Sequence, residues 1–454
     1  MLKFLTKIIW RCEKEFLYLC KMISTKNIRI EDFDYELPDE RIALYPLPER
    51  DASNLLVYKN GQISETIFKN IANEIPENAL LVFNDTKVIH ARIVTQTSTG
   101  HRLEIFCLEP IEPVDAQLMF QQKNRCVWKC FVGGNRKWKD GNLQIFFGQK
   151  AKGEGQKVAS PIAKCSNNSA TPFALNPSPF AENLIITRGL QLDDAWEITF
   201  EWTSDQTFAE ILDAIGKIPL PPYIHREAEE SDEDRYQTIF AKEKGSVAAP
   251  TASLHFTEDV MKSFEKKNIE IATLTLHVGA GTFKPVTSEE IGDHVMHDEK
   301  VIISQECLQK ILKAKSENRP IIAVGTTSLR SLESLYWLKE GENHVEQWTP
   351  YETKMVNDQW LMVNDFSTIN HLPLTTNLFP LQFSTSLMIN PSYKFQVATG
   401  IITNFHQPKS TLLLLISAIV GDDWRKIYDY ALSHDFRFLS YGDSSLLWLS
   451  DAEK

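Results

Sequence analysis

Residues Pro320–Arg330 read PIIAVGTTSLR. An apolar run of strand length stops at a glycine and three hydroxyl residues. Ser328–Lys339 then places Leu329, Leu332 and Leu335 on one helical face. Three other stretches repeat this strand-then-polar-loop form: ALLVFNDT (Ala79–Thr86), IEIATLTLHVGAGTF (Ile269–Phe283) and VATGIITNFHQPKST (Val397–Thr411). In open α/β sheets, ligands bind beyond the carboxyl ends of the strands. Four polar loops on that edge predict one site assembled from distant parts of the chain.

The 454 residues allow two or three domains and a substantial core. A net charge of −12 argues against binding through sequence-independent phosphate attraction, although a local basic face can work inside an acidic total. Seven scattered cysteines contain no CxxC pair, which disfavours a disulfide framework or a cysteine metal site and points to a reducing, cytoplasmic setting. No segment approaches the ~20 apolar residues of a membrane span. Residues 1–21 form an N-terminal extension with Arg11, Glu13, Lys14 and Glu15 in its middle, so it lacks a signal-peptide core.

The organisation expected is α/β: residues 22–86 and 206–454 make a discontinuous α/β domain with a mostly parallel sheet, and residues 87–205 make an inserted all-β, barrel-like domain. HRLEIFCLE, RCVWKCFV, NLQIFFG and AWEITFEW supply the short strands of the insert, and Ser160–Glu182 reads as a long loop within it. Helices are expected over Phe208–Gly216, over Asp259–Lys267 after a Thr257 cap, and from Thr411 after a Ser410 cap. The acidic run Glu227–Asp234 reads as a solvated loop, and Trp348–Leu387 as an external one.

Several residue groups could carry chemistry. Gly325, Thr326, Thr327 and Ser328 stand where a helix start offers N–H groups to an anion or carboxylate, or simply caps itself. Gly279-Ala280-Gly281 is not a dinucleotide fingerprint, because Thr282 and Pro285 follow instead of a helix; a backbone wall against a flat ligand, or a tight turn, fits better. His255, in the segment Pro250-Thr251 to Phe256, precedes a helix start, which favours a neutral ring able to act as a base. His277 and His406 end strands. His294 and His297 have metal-like spacing without a further clear ligand, so no metal is expected. Arg125, Lys129, Arg136, Lys137 and Lys139 interleave with Trp128, Phe131 and Trp138, which suits RNA or an ordinary solvated face.

Taken together these stretches resemble the S-adenosylmethionine:tRNA ribosyltransferase-isomerase family of queuosine biosynthesis. The resemblance rests on FDYELPDERIALYPLPERDASNLLV, LLVFNDTKVIHAR, PLPPYIHR, RYQTIFAKEKGSVAAPTASLHFT, TLHVGAGTFKPV, HVMHDE, AVGTTSLRSLES, TNFHQPKSTLLLLISA and FRFLSYGD, between about Phe33 and Asp443. It implies a two-domain fold and a monomer. It implies a tRNA substrate carrying 7-aminomethyl-7-deazaguanine, with S-adenosyl-L-methionine consumed as ribosyl donor and no metal. The products are then epoxyqueuosine-tRNA, adenine and methionine.

On that resemblance, His255 or His277 would be the base and Asp85, between Asn84 and Thr86, would face the sulfonium. Gly279, Gly281 and Thr282 would flank adenine, and Gly325–Ser328 the carboxylate. Thr251, Asn404 and His406 would complete the substrate site, with Arg136 and Lys137 on the tRNA. Ser253 and the sequence MINPSY (Met388–Tyr393) depart from the family pattern, which has Gly and FIYPGY there. Two rival readings are an S-adenosylmethionine-dependent RNA methyltransferase, which Pro285 opposes, and a non-catalytic RNA-binding protein, which the acidic total opposes.

Overall fold

The computed structural model describes residues 25–139, 141–147, 182–192, 194–279, 286–339, 342–351, 355–356, 359–360 and 380–449. The expectations for residues 1–21, for Gly281 and Thr282, and for nearly all of the 160–182 loop lie outside them.

Four strands with no exposed residue among their central positions form the heart of a ten-stranded sheet: Glu270–Leu276, Leu80–Asn84, Ile321–Val324 and Gly400–Asn404 lie side by side, all parallel. Near-continuous apolar runs of this kind suit strands covered on both faces. The pleat sends alternate residues to opposite cores. Leu80 and Val82 join one cluster with the helices Gln305–Ser316, Thr326–Trp337, Thr411–Val420 and Trp424–Ser433. Leu81 and Phe83 join the other, with Phe68, Phe256 and Phe264.

The flanks correct the expectation of a mostly parallel sheet. Glu299–Ile303 adds to Glu270–Leu276 antiparallel, and Ser444–Trp448 adds to Gly400–Asn404 antiparallel, so the sheet is mixed. Asn54–Lys59 then runs parallel to Ser444–Trp448, and Gln62–Ile67 closes that edge as a hairpin. Part of the expected external loop is also sheet: Leu381–Thr385 pairs antiparallel with Glu299–Ile303, and its Thr385 is fully buried with its hydroxyl 2.7 Å from Ser334 Oγ.

A second sheet of seven antiparallel strands runs in the order Gly216–Lys217, Arg92–Gln96, Arg102–Glu112, Arg125–Gly133, Ala195–Trp202, Glu182–Leu192, Leu143–Phe147. Among the described residues its first and last strands do not pair with each other, so the sheet is open where a closed barrel would have no edge. Within residues 87–205 the helix Ala116–Gln121 departs from the all-β expectation. The expected helix Phe208–Ile215, held by a Thr207–Glu210 capping box, packs on the sheet through Phe208, which meets Trp128, Phe200 and Trp202.

The acidic run is exposed over most of its length, as expected, but not at Asp232. Asp232 is fully buried; it accepts both terminal nitrogens of Arg226 at 2.7 and 2.8 Å, the Tyr441 hydroxyl at 2.8 Å and the Glu229 N–H at 2.8 Å. Glu233 meets His90 Nε2 at 2.5 Å. Paired charge, which local sequence does not reveal, turns the run into a structural clasp.

Candidate active site

A cleft of about 860 Å³, its open mouth included, lies beyond the carboxyl ends of Ile321–Val324 and Gly400–Asn404. Thr251, Gly325, Thr326, Thr327, Asn404 and His406 all line it. Gly325 makes the turn from strand to helix at φ +90° and ψ 153°, a conformation essentially reserved for glycine. Its own N–H donates to Ile402 O at 2.8 Å, and no side chain caps the helix Thr326–Trp337 that follows. The positive end of that helix therefore faces the cleft through Thr326 and Thr327. Ser328, one residue further in, is fully buried and its Oγ has no hydrogen-bond partner. The second helix start at the cleft is closed by comparison: Ser410 Oγ accepts the Leu413 N–H at 3.2 Å.

Behind the cleft wall sits His255. Asn404 Nδ2 lies 3.1 Å from its Nε2 and 3.5 Å from Asp443 O, and Ser53 Oγ lies 2.8 Å from its Nδ1. The Asn404 amide group donates to Nε2, so the ring proton resides on Nδ1 and the ring is neutral. Burial pushes His255 down to about 4. The other end of Asn404 is unsatisfied: Oδ1 is buried with no hydrogen-bond partner, in a residue that lines the cleft. His406 is buried beside it, with Nε2 3.1 Å from Thr403 Oγ1, and burial lowers it to about 3.

Asn84, Asp85, Thr86 and His277 form a separate cluster that does not line this cleft. Asn84 is spent as a staple between strands: Nδ2 donates to Leu276 O at 2.9 Å, and Oδ1 accepts the N–H groups of Leu276 and Thr86, each at 3.1 Å. Asp85 Oδ1 accepts the Thr275 hydroxyl at 2.6 Å, and burial raises its pKa. His277 Nδ1 stands 3.1 Å from Thr86 Oγ1, its ring packed on Gly245, and burial and then Lys300 lower it to about 4. The sulfonium role for Asp85 and the base role for His277 gain no support from this placement. The neighbouring Val278 does line the cleft, tied by its N–H to Ser246 Oγ at 3.0 Å, and Gly279 follows it half-buried.

On the seven-stranded sheet Arg136 and Lys137 are exposed. Trp128 and Trp138 are buried at 2% and 3% exposure, which removes them as stacking platforms. Arg125 and Lys129 are paired with Glu112 and Glu109. Sequence reasoning passed over a second, narrow hollow that shares Thr326, Thr327, Thr411 and Leu412 with the cleft and contains the buried ion pair Arg330–Glu299. Its signal was present: Arg330 follows the TTSL segment, and Glu299 closes HVMHDE. Among the described residues no group of three His, Cys, Asp or Glu is placed to hold a metal, and no helix is long and apolar enough to cross a membrane.

The fold is mixed α/β, and the candidate site is a cleft built from separated chain segments at strand ends. The chain belongs to the queuosine biosynthesis protein family, whose pattern it matches over residues 30–447. It is similar to the S-adenosylmethionine:tRNA ribosyltransferase-isomerase of Halothermothrix orenii, with 37% identity over 92% of this chain and 100% of that protein. The proteins of the same description from Rickettsia bellii and Treponema denticola are 36% and 35% identical, covering 93% and 92% of this chain and 99% of each relative. A crystal structure of an S-adenosylmethionine tRNA ribosyltransferase from Thermotoga maritima is 24% identical, with a TM-score of 0.41 over 91% of this chain and 99% of that one.

Proposed function

We propose that this chain transfers the ribosyl group of S-adenosyl-L-methionine to 7-aminomethyl-7-deazaguanine at the wobble position of tRNA and isomerises it, giving epoxyqueuosine-tRNA. Removal of the ribose C–H beside sulfur frees the electron pair that closes the cyclopentane ring, and the aminomethyl nitrogen exchanges an N–H bond for a bond to ribosyl carbon. Adenine leaves with its glycosidic electron pair and takes up one of the two protons released, and methionine leaves with the carbon–sulfur pair as the epoxide closes. The family, the relatives' shared description and the cleft all support this reading. The single observation that carries it on this chain's own residues is the open helix start at Thr326–Ser328 set beside the unsatisfied Asn404 Oδ1. One suits a carboxylate and the other an N–H donor of a base.

His255 is the base in this reading. A sulfonium acidifies the adjoining ribose C–H, and a neutral imidazole held by Ser53 and Asn404 can take that proton once substrate draws the Asn404 amide toward itself. His406 and Thr251 complete the wall around the ribose, and Gly279–Thr282 shields adenine. Residues 22–86 and 206–454 act as the catalytic body. Residues 87–205, through Arg136 and Lys137 on a barrel-like insert, meet the tRNA backbone in the cytoplasm, one chain per tRNA.

The test is incubation with tRNA carrying the aminomethyl base and S-adenosyl-L-methionine, followed by nucleoside analysis. Adenine and methionine released in step with epoxyqueuosine support the reading; a methylated RNA with S-adenosylhomocysteine overturns it in favour of methyl transfer.

A further inference from the structure

The hollow beside the cleft has an unusual lining. Met296, Leu387, Met388, Ile389, Leu412 and Leu415 give it apolar walls, yet Arg330, Glu299 and His297 also border it. Glu299 is 2% exposed and Arg330 8%. The Arg330 guanidinium contacts one Glu299 carboxylate oxygen, and His297 Nε2 lies 3.4 Å from the other. Burying such a pair costs desolvation that its mutual attraction does not reliably return, so it is a weak way to stabilise a fold. The pair is also placed at a particular spot. Thr326 and Thr327, the open helix start, border both the cleft and this hollow, so the two adjoin there.

A cation and an anion side by side at the end of an apolar pocket complement an amino-acid zwitterion on an apolar chain. The walls suit a thioether-type chain, for which methionine side chains are adaptable neighbours. Arg330 adds a fork of donors to the helix start, which a carboxylate can use together with the N–H groups.

Resting on the ribosyl-transfer reading, we propose that this hollow holds the methionine end of the sulfonium donor, with its α-carboxylate on Arg330 and the Thr326–Ser328 start and its α-ammonium on Glu299. The pair is then the device that selects a donor with an intact amino-acid end. A donor lacking one charged group disturbs the Arg330–Glu299 contact without replacing both halves of it, so one member loses its partner while buried, the situation in which sites discriminate most strongly.

The experiment compares donors within each protein, so that altered stability cancels. Adenine release with aminomethyl-tRNA is measured with S-adenosyl-L-methionine and with its decarboxylated form, for the wild type and for Arg330→Met. The wild type is expected to prefer the intact donor in kcat/KM by roughly a hundredfold or more, and Arg330→Met to reduce that preference below about tenfold. An equal preference in both proteins overturns the assignment while leaving ribosyl transfer intact. Release from neither donor by the wild type removes the transfer reading and this inference with it. Should Arg330→Met not fold, Glu299→Gln is read in the same way against the deaminated donor, with a reduced preference supporting and an unchanged preference refuting the ammonium contact.

Discussion

Replacing Gly325 by Ala probes the turn that aims the helix start at the cleft. A Cβ built there would lie 3.7 Å from Ala252 Cβ and from Thr327 Oγ1, which is ordinary contact. Space is therefore not the obstacle. The obstacle is φ +90° with ψ 153°, and holding a non-glycine residue in that region costs about 1–3 kcal/mol. The cost can surface in two ways. If the surrounding sheet holds the turn, the thermal midpoint falls; about 1 kcal/mol shifts a domain of 150–250 residues by roughly 2–4 °C. If the turn relaxes instead, the helix start swings off the cleft and KM for the sulfonium donor rises with kcat little changed. A helix terminus contributes up to about 2 kcal/mol to a charge in a partly buried geometry, equivalent to roughly thirtyfold in affinity. Calorimetry and adenine-release kinetics on the same preparation separate the two. A Gly325→Ala protein with the wild-type midpoint and the wild-type KM would refute both the strain and the role of the turn.

Acid should destabilise the fold through its buried rings. His255 and His277 sit at about 4 and His406 at about 3, against an ordinary 6.5, so the unfolded chain binds protons that the folded one refuses. Stability is then lost as pH falls from about 6.5 toward 4, and toward 3 for His406, and the loss levels off below. Thermal midpoints from pH 7 to 4 check this, and His406→Gln should flatten the slope; an unchanged slope counts against the buried neutral ring. Asn404→Asp places a carboxylate on His255 Nε2 and should move the acid limb of the kcat/KM profile upward by a unit or more; a limb that stays put contradicts the tautomer deduced from the Asn404 contact. Asp232→Ala strands Arg226 and should cost about 3–5 kcal/mol in urea unfolding, whereas Glu230→Ala, exposed two residues earlier, should change little. Equal effects of the two would sink the clasp.

The sequence was most informative where one segment carries its own explanation. Leu80–Asn84, Ile321–Val324 and Gly400–Asn404 are buried along their length, and the apolar residues that cover on both faces demands, LLVF, IIAV and II, are legible without knowledge of neighbours. The Thr257 and Ser410 caps were legible for the same local reason. Leu381–Thr385 was hidden because its residues are half polar and its burial is conferred by the strands and helix around it. Asp232 was hidden because the Tyr441 hydroxyl that helps bury it lies 209 residues away. Asn84 and Asn404 show the limit within the candidate site. Both end a parallel central strand as buried amides, yet one has its hydrogen bonds consumed by the adjoining strand and the other keeps Oδ1 unpaired. Spacing cannot tell these apart, because the difference lies in which partner the next strand presents.

The parallel contact between Asn54–Lys59 and Ser444–Trp448 has a consequence for the chain as it leaves the ribosome. At roughly 5–20 residues per second, the early strand waits from about 20 to 80 seconds for its neighbour to be made. During that interval Leu55, Leu56 and Val57, fully or almost fully hidden in the finished protein, lack the Ser444–Trp448 strand and keep only early-made neighbours such as the Gln62–Ile67 hairpin and Phe68. A nascent chain of this protein thus presents a sticky ribbon at residues 55–57 until residues 444–448 have emerged. Slow translation or premature termination would send it toward chaperones or aggregation before any catalyst exists.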